Sequence, residues 1–296
     1  MATVEGSLWL EYSFLKAIYL AAEVTMKFGA ISNSWRNQLD DTSLGDLIAR
    51  AQDQGARHVE LRQTCLADGE SGTGDDWRPN LETLAEVVVR FPSLSFDLAV
   101  ALPCLTSDID PKGGLFQSQL EAARLVGGDS PHLRTVDPAT TDEPWEAPAA
   151  VSEEVRRIVP LVQEAARQGV TFSMENSGQP LRSMGLLVQE ARSQMTDSAG
   201  QYLGLCPDPT NQLRRHPDSN PLDELAALPA DFIKIVHFKQ ARDGVALESV
   251  EDGDLDCRAM VRILQGKAYD GAAIMEIPSS DGVFDNLAAS FAYLEG

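Results

Sequence analysis

The sequence predicts an α/β protein built as a single (β/α)8 barrel, in which eight parallel strands alternate with eight helices. Short apolar segments alternate with longer amphipathic ones from residue 27 to the end of the chain, which is the pattern of repeated βα units. No change of composition divides the 296 residues. Barrels of about 250 residues are ordinary single domains, so one domain accounts for the length.

The eight predicted strands are short runs rich in apolar and β-branched residues, each followed by turn residues. In chain order they cover 28–32, 58–62, 94–102, 132–136, 170–176, 202–208, 232–237 and 272–276.

The predicted helices have apolar residues at helical spacing, and their ends carry recognisable signals. Gly55 follows the first helix, as glycine commonly does, and Ser152 begins the fourth beside acidic residues. The predicted helices cover 43–54, 81–91, 114–127, 152–168, 185–195, 221–228, 256–266 and 284–294.

Residues 1–26 form a predicted N-terminal extension, and the barrel domain covers 27–296. The apolar stretch in residues 8–20 is interrupted by Glu11 and Lys16 and has no positive region before it. It therefore predicts neither a signal peptide nor a membrane span. The extension is either an extra helix or an artefact of the assigned start site.

Composition limits the partners. The net charge of −21 argues against binding to nucleic acid phosphates, and a membrane partner is not expected. The four cysteines lack CxxC spacing, which indicates free thiols in a reducing cytoplasm. A homo-oligomer stays possible.

The last four predicted strands each end in a residue that can bind a metal. These residues are Glu175, Asp208, His237 and Glu276. The C-terminal ends of barrel strands meet at one mouth, so ligands far apart in sequence converge. Strand alternation places Glu175 on the face of Thr171 and Ser173, His237 on that of Ile233 and Ile235, and Glu276 on that of Ala272 and Ile274. Three carboxylates and one imidazole predict one divalent cation, with Mn²⁺ expected and Mg²⁺ or Co²⁺ as alternatives.

The chain resembles a known family in the segments MEN, LCPDPTN, IKIVHFKQ and AIMEIP, which contain these four residues. They look like the last four strands of xylose-isomerase-like barrels, the sugar phosphate isomerase/epimerase superfamily. The ketose 3-epimerases are the nearest mechanistic model. The resemblance implies that the four residues bind one metal and that Glu175 and Glu276 are the acid/base pair.

These residues predict an enzyme that moves a proton next to a carbonyl of a sugar or sugar-like polyol, an isomerase or epimerase. Three alternatives stay open: a lyase or dehydratase of the inosose type, a C-glycoside-cleaving eliminase acting on a 3-keto sugar, and a non-catalytic metal-binding barrel. Four histidines are too few for the three-metal site of the related DNA-repair endonucleases.

Substrate contacts are predicted at six positions, which are Trp35, Glu60, Asn211, His216, Lys239 and Arg242. Trp35, with Arg36 beside it, offers an aromatic wall after the first strand, and Lys239 and Arg242 offer cations for a phosphate or hydroxyl. Glu60 is either a substrate-contacting or helper carboxylate or the partner of Arg62.

Asn211 stands where many relatives have a histidine, three residues after the strand-six aspartate. His216 is a candidate replacement for that histidine. Cys206 shares the face of Asp208, but we expect it to be a core thiol.

Overall fold

Eight parallel strands curl into one barrel in the computed structural model, which describes residues 26–296. The extension predicted for residues 1–26 therefore lies outside the described residues, except for Met26. Around the barrel the strand order is β6-β5-β4-β3-β2-β1-β8-β7, so β1 pairs with β8 and the strands β6 and β7 stand at the two ends of the order. The strands are β1 Lys27–Ile31, β2 His58–Arg62, β3 Ser95–Ala101, β4 His132–Val136, β5 Thr171–Glu175, β6 Leu203–Cys206, β7 Ile235–Phe238 and β8 Ala272–Met275.

The barrel closes between β6 and β7 through a short seam. A single bridge joins Leu205 to Ile233, and the Lys234 amide donates to the Leu205 carbonyl at 2.9 Å. Gly204 permits this close approach, because a Cβ at that position would lie 2.5 Å from the Phe232 carbonyl oxygen. The predicted (β/α)8 barrel is thus confirmed.

Helices surround the barrel, and several begin at polar caps that the sequence places there. Ser43 accepts a hydrogen bond from the Asp46 amide at the start of α1, and Asp208 accepts one from the Asn211 amide at the start of α7. The short helix α7 was not predicted. The helices are α1 Leu44–Asp53, α2 Leu81–Arg90, α3 Gly114–Gly127, α4 Ser152–Arg167, α5 Leu181–Ser193, α6 Asp197–Gly200, α7 Pro209–Arg215, α8 Pro221–Ala227, α9 Cys257–Gly266 and α10 Val283–Glu295.

Two small hairpins interrupt the βα pattern: Glu70–Ser71 pairs with Arg78–Pro79, and Ala241–Arg242 pairs with Val245–Ala246. In the part of the chain that the structure describes, no helix is long and apolar enough to span a membrane.

Most of the hydrophobic core lies between the barrel and its helices, and a smaller apolar group lies within the barrel. Cys206 belongs to this inner group, as expected, and burial raises the pKa of its thiol to about 12. All four cysteines are buried and free. The predicted free thiols are confirmed.

The N-terminal end of the barrel holds a buried polar network on β2, β3 and β4. Asp97 lies 2.8 Å from Nε2 of His58 and 3.0 Å from Nδ1 of His132. Burial alone would raise the pKa of Asp97, but hydrogen bonds from His132 and His58 outweigh it and hold that pKa well below its ordinary range. This end of the barrel is therefore held together by polar bonds between three strands.

Candidate metal centre

The four predicted metal ligands meet at the C-terminal mouth of the barrel. One ligand atom from each of Glu175, Asp208, His237 and Glu276 lies within 4.8 Å of the others. The first three side chains are buried, and Glu276 is partly buried. Glu175 ends β5 and His237 lies within β7, whereas Asp208 lies two residues after β6 and Glu276 follows β8 directly. The group is therefore built from four adjacent strands.

The hydrogen bonding of these side chains fits a divalent metal. Oδ1 of Asp208 caps α7 through the Asn211 amide at 2.8 Å, which leaves Oδ2 directed to the cluster. Among the described residues, Oδ2 of Asp208, Nδ1 of His237 and Oε2 of Glu276 are buried atoms without a hydrogen bond of normal geometry. Nδ1 of His237 lies 2.8 Å from Oε2 of Glu276, and Nζ of Lys239 lies 2.8 Å from both carboxylate oxygens, so the atoms converge on one point. This convergence of three carboxylates and an imidazole is what fits a cation site.

A buried ion-pair network supports the cluster from below. Arg134 makes bonds of 2.8 and 2.9 Å to both oxygens of Glu60, and a further bond of 2.8 Å to Glu175. Glu60 is also 2.9 Å from Nε2 of His237. A carboxylate behind a histidine fixes the orientation of the ring at metal sites.

Two sequence predictions about Glu60 need correction. Its partner is Arg134 and not Arg62, and the carboxylate is fully buried, so it cannot contact a substrate directly. The helper role fits its position beneath His237. Arg134 was missed, although it shares the inward face of its strand with His132.

Two amides hold the outer carboxylates. Asn211 donates to Oε1 of Glu175 at 3.0 Å, and Asn33 donates to Oε1 of Glu276 at 2.9 Å. Asn211 therefore reaches the ligand group, and its contact with a substrate stays a prediction. Asn33 was missed, because nothing local distinguishes it from other polar residues that follow a strand.

Lys239 is the cation of the cluster. Its Nζ lies 2.8 Å from Asp208, 2.8 Å from Glu276 and 3.4 Å from Glu175. Burial alone would raise the pKa of Glu175, but the charges of Lys239 and Arg134 lower it to about 2. Burial also disfavours the charged form of Lys239, but the carboxylates outweigh it and raise the pKa of the ammonium well above its usual range.

The predicted aromatic wall is wrong. Trp35 is only 1% exposed and stacks on Phe284 with ring centroids 5.7 Å apart, so its ring face is used in the core. Arg36 beside it is exposed and donates to the sulfur of Cys65. An aromatic residue after a strand fills the core as readily as it lines a mouth.

Two further candidates do not reach the four ligands. Arg242 lies in the small hairpin, where it pairs with Glu251 at 3.3 Å and is 55% exposed. His216 follows α7, and its Nε2 lies 3.1 Å from the carbonyl oxygen of Gly178. Neither residue contacts the four ligands.

Arg62 is a further cation that sequence reasoning did not select. It shares the inward face of β2 with Glu60, and its guanidinium donates to the Gln63 carbonyl at 2.9 Å. No carboxylate within residues 26–296 pairs with it at ion-pair distance. Burial, together with the charge of Arg134, lowers its pKa, while Glu175 and Glu276 act in the opposite direction.

A parallel barrel with three carboxylates and an imidazole at its C-terminal mouth defines a class of protein able to hold a metal ion there. The model of the xylose isomerase-like TIM barrel family matches residues 114–295, more than half of the chain. The chain belongs to this family.

Solved structures show the same fold over nearly the whole chain. D-psicose 3-epimerase from Clostridium cellulolyticum H10, solved with D-tagatose, has a TM-score of 0.64 at 12% identity and covers 91% of this chain and 99% of its own. D-allulose 3-epimerase from Methylomonas sp., solved with D-allulose, has a TM-score of 0.63 at 14% identity and covers 90% and 89%. The IOLI protein with a binding zinc atom has a TM-score of 0.62 at 16% identity and covers 91% and 95%.

A sequence comparison with curated proteins found no match. At identities this low, the structural likeness establishes the fold alone.

Proposed function

We propose that this protein is a divalent-metal-dependent isomerase or epimerase that moves a proton next to a carbonyl of a sugar or sugar-like polyol. The observation that carries the proposal is that the carboxylates of Glu175 and Glu276 lie in the same site. Each belongs to the convergent ligand group, and each is held by its own asparagine amide. Two positioned carboxylates at one site can remove and return a proton.

The residues divide the work as follows. Glu175 and Glu276 act as the base and the acid. The amides of Asn211 and Asn33 donate to Oε1 of Glu175 and Oε1 of Glu276, which fixes the orientation of each carboxylate. Without metal, Nζ of Lys239 offsets part of the negative charge of the two carboxylates.

A divalent metal held by the four ligands would supply Lewis-acid stabilisation of the charge that develops on the carbonyl oxygen. The ligand set favours Mn²⁺, with Mg²⁺ or Co²⁺ as alternatives. The four free thiols support a reducing cytoplasm as the compartment.

The test is turnover in D₂O with Mn²⁺-loaded protein and a panel of ketoses that begins with D-allulose and D-tagatose, followed by keto-inositols. We expect deuterium at the carbon next to the carbonyl. Glu175→Gln and Glu276→Gln should each slow turnover by roughly 10² or more. Glu121→Gln, an exposed carboxylate on α3, is the control and should keep the normal rate.

Metal content must be measured in each variant, because both glutamates are also proposed ligands. Normal rates in both variants with metal retained would refute the acid/base pair. Loss of water or cleavage of a C-glycoside would instead identify a lyase. Binding of metal without turnover of any substrate would favour the non-catalytic barrel.

A further inference from the structure

Lys239 lies where a bound metal would need its ligands. It follows β7 directly, two residues after His237. Its Nζ lies 2.8 Å from Oδ2 of Asp208 and 2.8 Å from Oε2 of Glu276. These are two of the buried atoms that lack a hydrogen bond of normal geometry. The lysine therefore neutralises the same oxygens that a metal would use.

Both cations cannot share these oxygens. Metal–oxygen distances are about 2.0–2.6 Å for divalent ions of this kind. With Nζ already 2.8 Å from two of the ligand oxygens, an ammonium and a metal ion would be in close contact. Like charges at such a distance repel strongly in a partly buried site. One cation must leave when the other binds.

The side chain of Lys239 is free to leave, whereas its backbone is fixed. The hydroxyl of Thr210 donates to the Lys239 carbonyl at 2.8 Å, and the thiol of Cys257 lies 3.6 Å from the same oxygen. The side chain is 19% exposed, and Nζ is 3.4 Å from Oδ1 of Asn211 at the outer side of the cluster. A lysine has a flexible four-carbon stem, so the ammonium can swing towards the mouth without movement of the strand.

We propose that Lys239 is a built-in competitor of the metal, which occupies the carboxylate cluster in the metal-free protein and is displaced towards the substrate space when metal binds. The proposal rests on the proposed function only in assuming that the cluster binds a divalent cation. Lys239 then has two effects. It stabilises the metal-free protein by offsetting part of the charge of three clustered carboxylates, and it weakens metal binding because its ion pairs must first be broken.

Mn²⁺ binding to the full chain, stripped of metal with a chelator and measured by isothermal titration calorimetry, tests the proposal. Lys239→Met shortens the side chain by one atom and removes its charge. We expect Mn²⁺ to bind this variant roughly tenfold tighter or better. The metal-free variant should melt at a lower temperature than the metal-free parent, and Mn²⁺ should raise its melting temperature by more.

Arg242→Met is the matched control, because Arg242 is a cation three residues away that pairs with Glu251 outside the cluster. It should leave Mn²⁺ affinity unchanged. Lys239→Gln keeps a hydrogen-bond donor without the charge, and it should show the same tightening if the methionine variant folds poorly.

Unchanged or weaker Mn²⁺ binding by the folded Lys239 variants would overturn the competition but leave the proposed function standing. Failure of the parent and of every variant to bind Mn²⁺ would overturn both.

Discussion

Replacement of Arg134 by methionine should destabilise the fold more than loss of any surface arginine. Arg134 is 1% exposed and makes three charge-assisted bonds of 2.8–2.9 Å to the buried carboxylates of Glu60 and Glu175. Methionine is an unbranched apolar replacement that leaves Glu60 charged and buried. His237 is then the remaining side-chain partner of Glu60. Removal of one partner of a buried ion pair costs about 3–5 kcal/mol, and we expect a loss of that size in the free energy of unfolding.

Denaturant unfolding of metal-free protein, followed by circular dichroism, measures this loss. The control is Arg156→Met, which removes an exposed arginine paired with Asp108 at 2.9 Å and should change stability little. Addition of Glu60→Leu to Arg134→Met should recover part of the loss, because Glu60 is then no longer a buried carboxylate without an arginine partner, while Glu175 keeps Asn211 and Lys239. Equal stability of the Arg134 and Arg156 variants would refute the reasoning.

Three further outcomes are expected. Purified protein should hold about one divalent metal per chain by elemental analysis, and His237→Ala should lose it while remaining folded; full occupancy in that variant would contradict the site. Asp97→Asn should lower stability at neutral pH by about 2 kcal/mol, since bonds to a charged carboxylate are lost. The folded-state pKa of Asp97 is depressed, so its contribution is complete above about pH 4 and is lost as pH falls through the folded pKa. The difference between parent and variant should therefore shrink in acid, and a constant difference across denaturation curves at several pH values would contradict this. Arg62→Met should raise KM more for a phosphorylated or carboxylated substrate than for a neutral sugar. The reason is that Arg62 is a partly buried cation with no carboxylate partner within residues 26–296. Equal changes in KM would exclude Arg62 from recognition of an anionic group.

The barrel and the four converging ligands could be predicted from the sequence because both follow from local pattern. Strand alternation and the common direction of parallel strands place Glu175, His237 and Glu276 together without knowledge of any contact. The supporting residues could not be predicted in this way. Arg134 meets Glu60 across 74 positions, and Asn33 meets Glu276 across 243 positions, so no local pattern records either pair.

The errors have a similar cause. Trp35 and Arg242 have suitable side chains near strand ends, but packing on Phe284 and a two-residue hairpin direct them elsewhere. The helix α7 had a usable signal, since Asp208 followed by Pro209 is a common helix start. That aspartate was interpreted only as a metal ligand, although one of its oxygens caps the helix while the other faces the cluster.

The short seam between β6 and β7 gives the metal cluster a second role, in the stability of the barrel. Asp208 follows one side of the seam and His237 lies on the other, where the His237 amide donates to the Pro207 carbonyl at 3.0 Å. A cation shared by both side chains would link the two strands at the part of the barrel with the fewest backbone bonds. Opening of the barrel there would then require release of the cation, so amide hydrogen exchange at Lys234 and His237 should slow when metal is added. Substitutions that change the catalytic chemistry would then also change the stability of the barrel at the seam between β6 and β7.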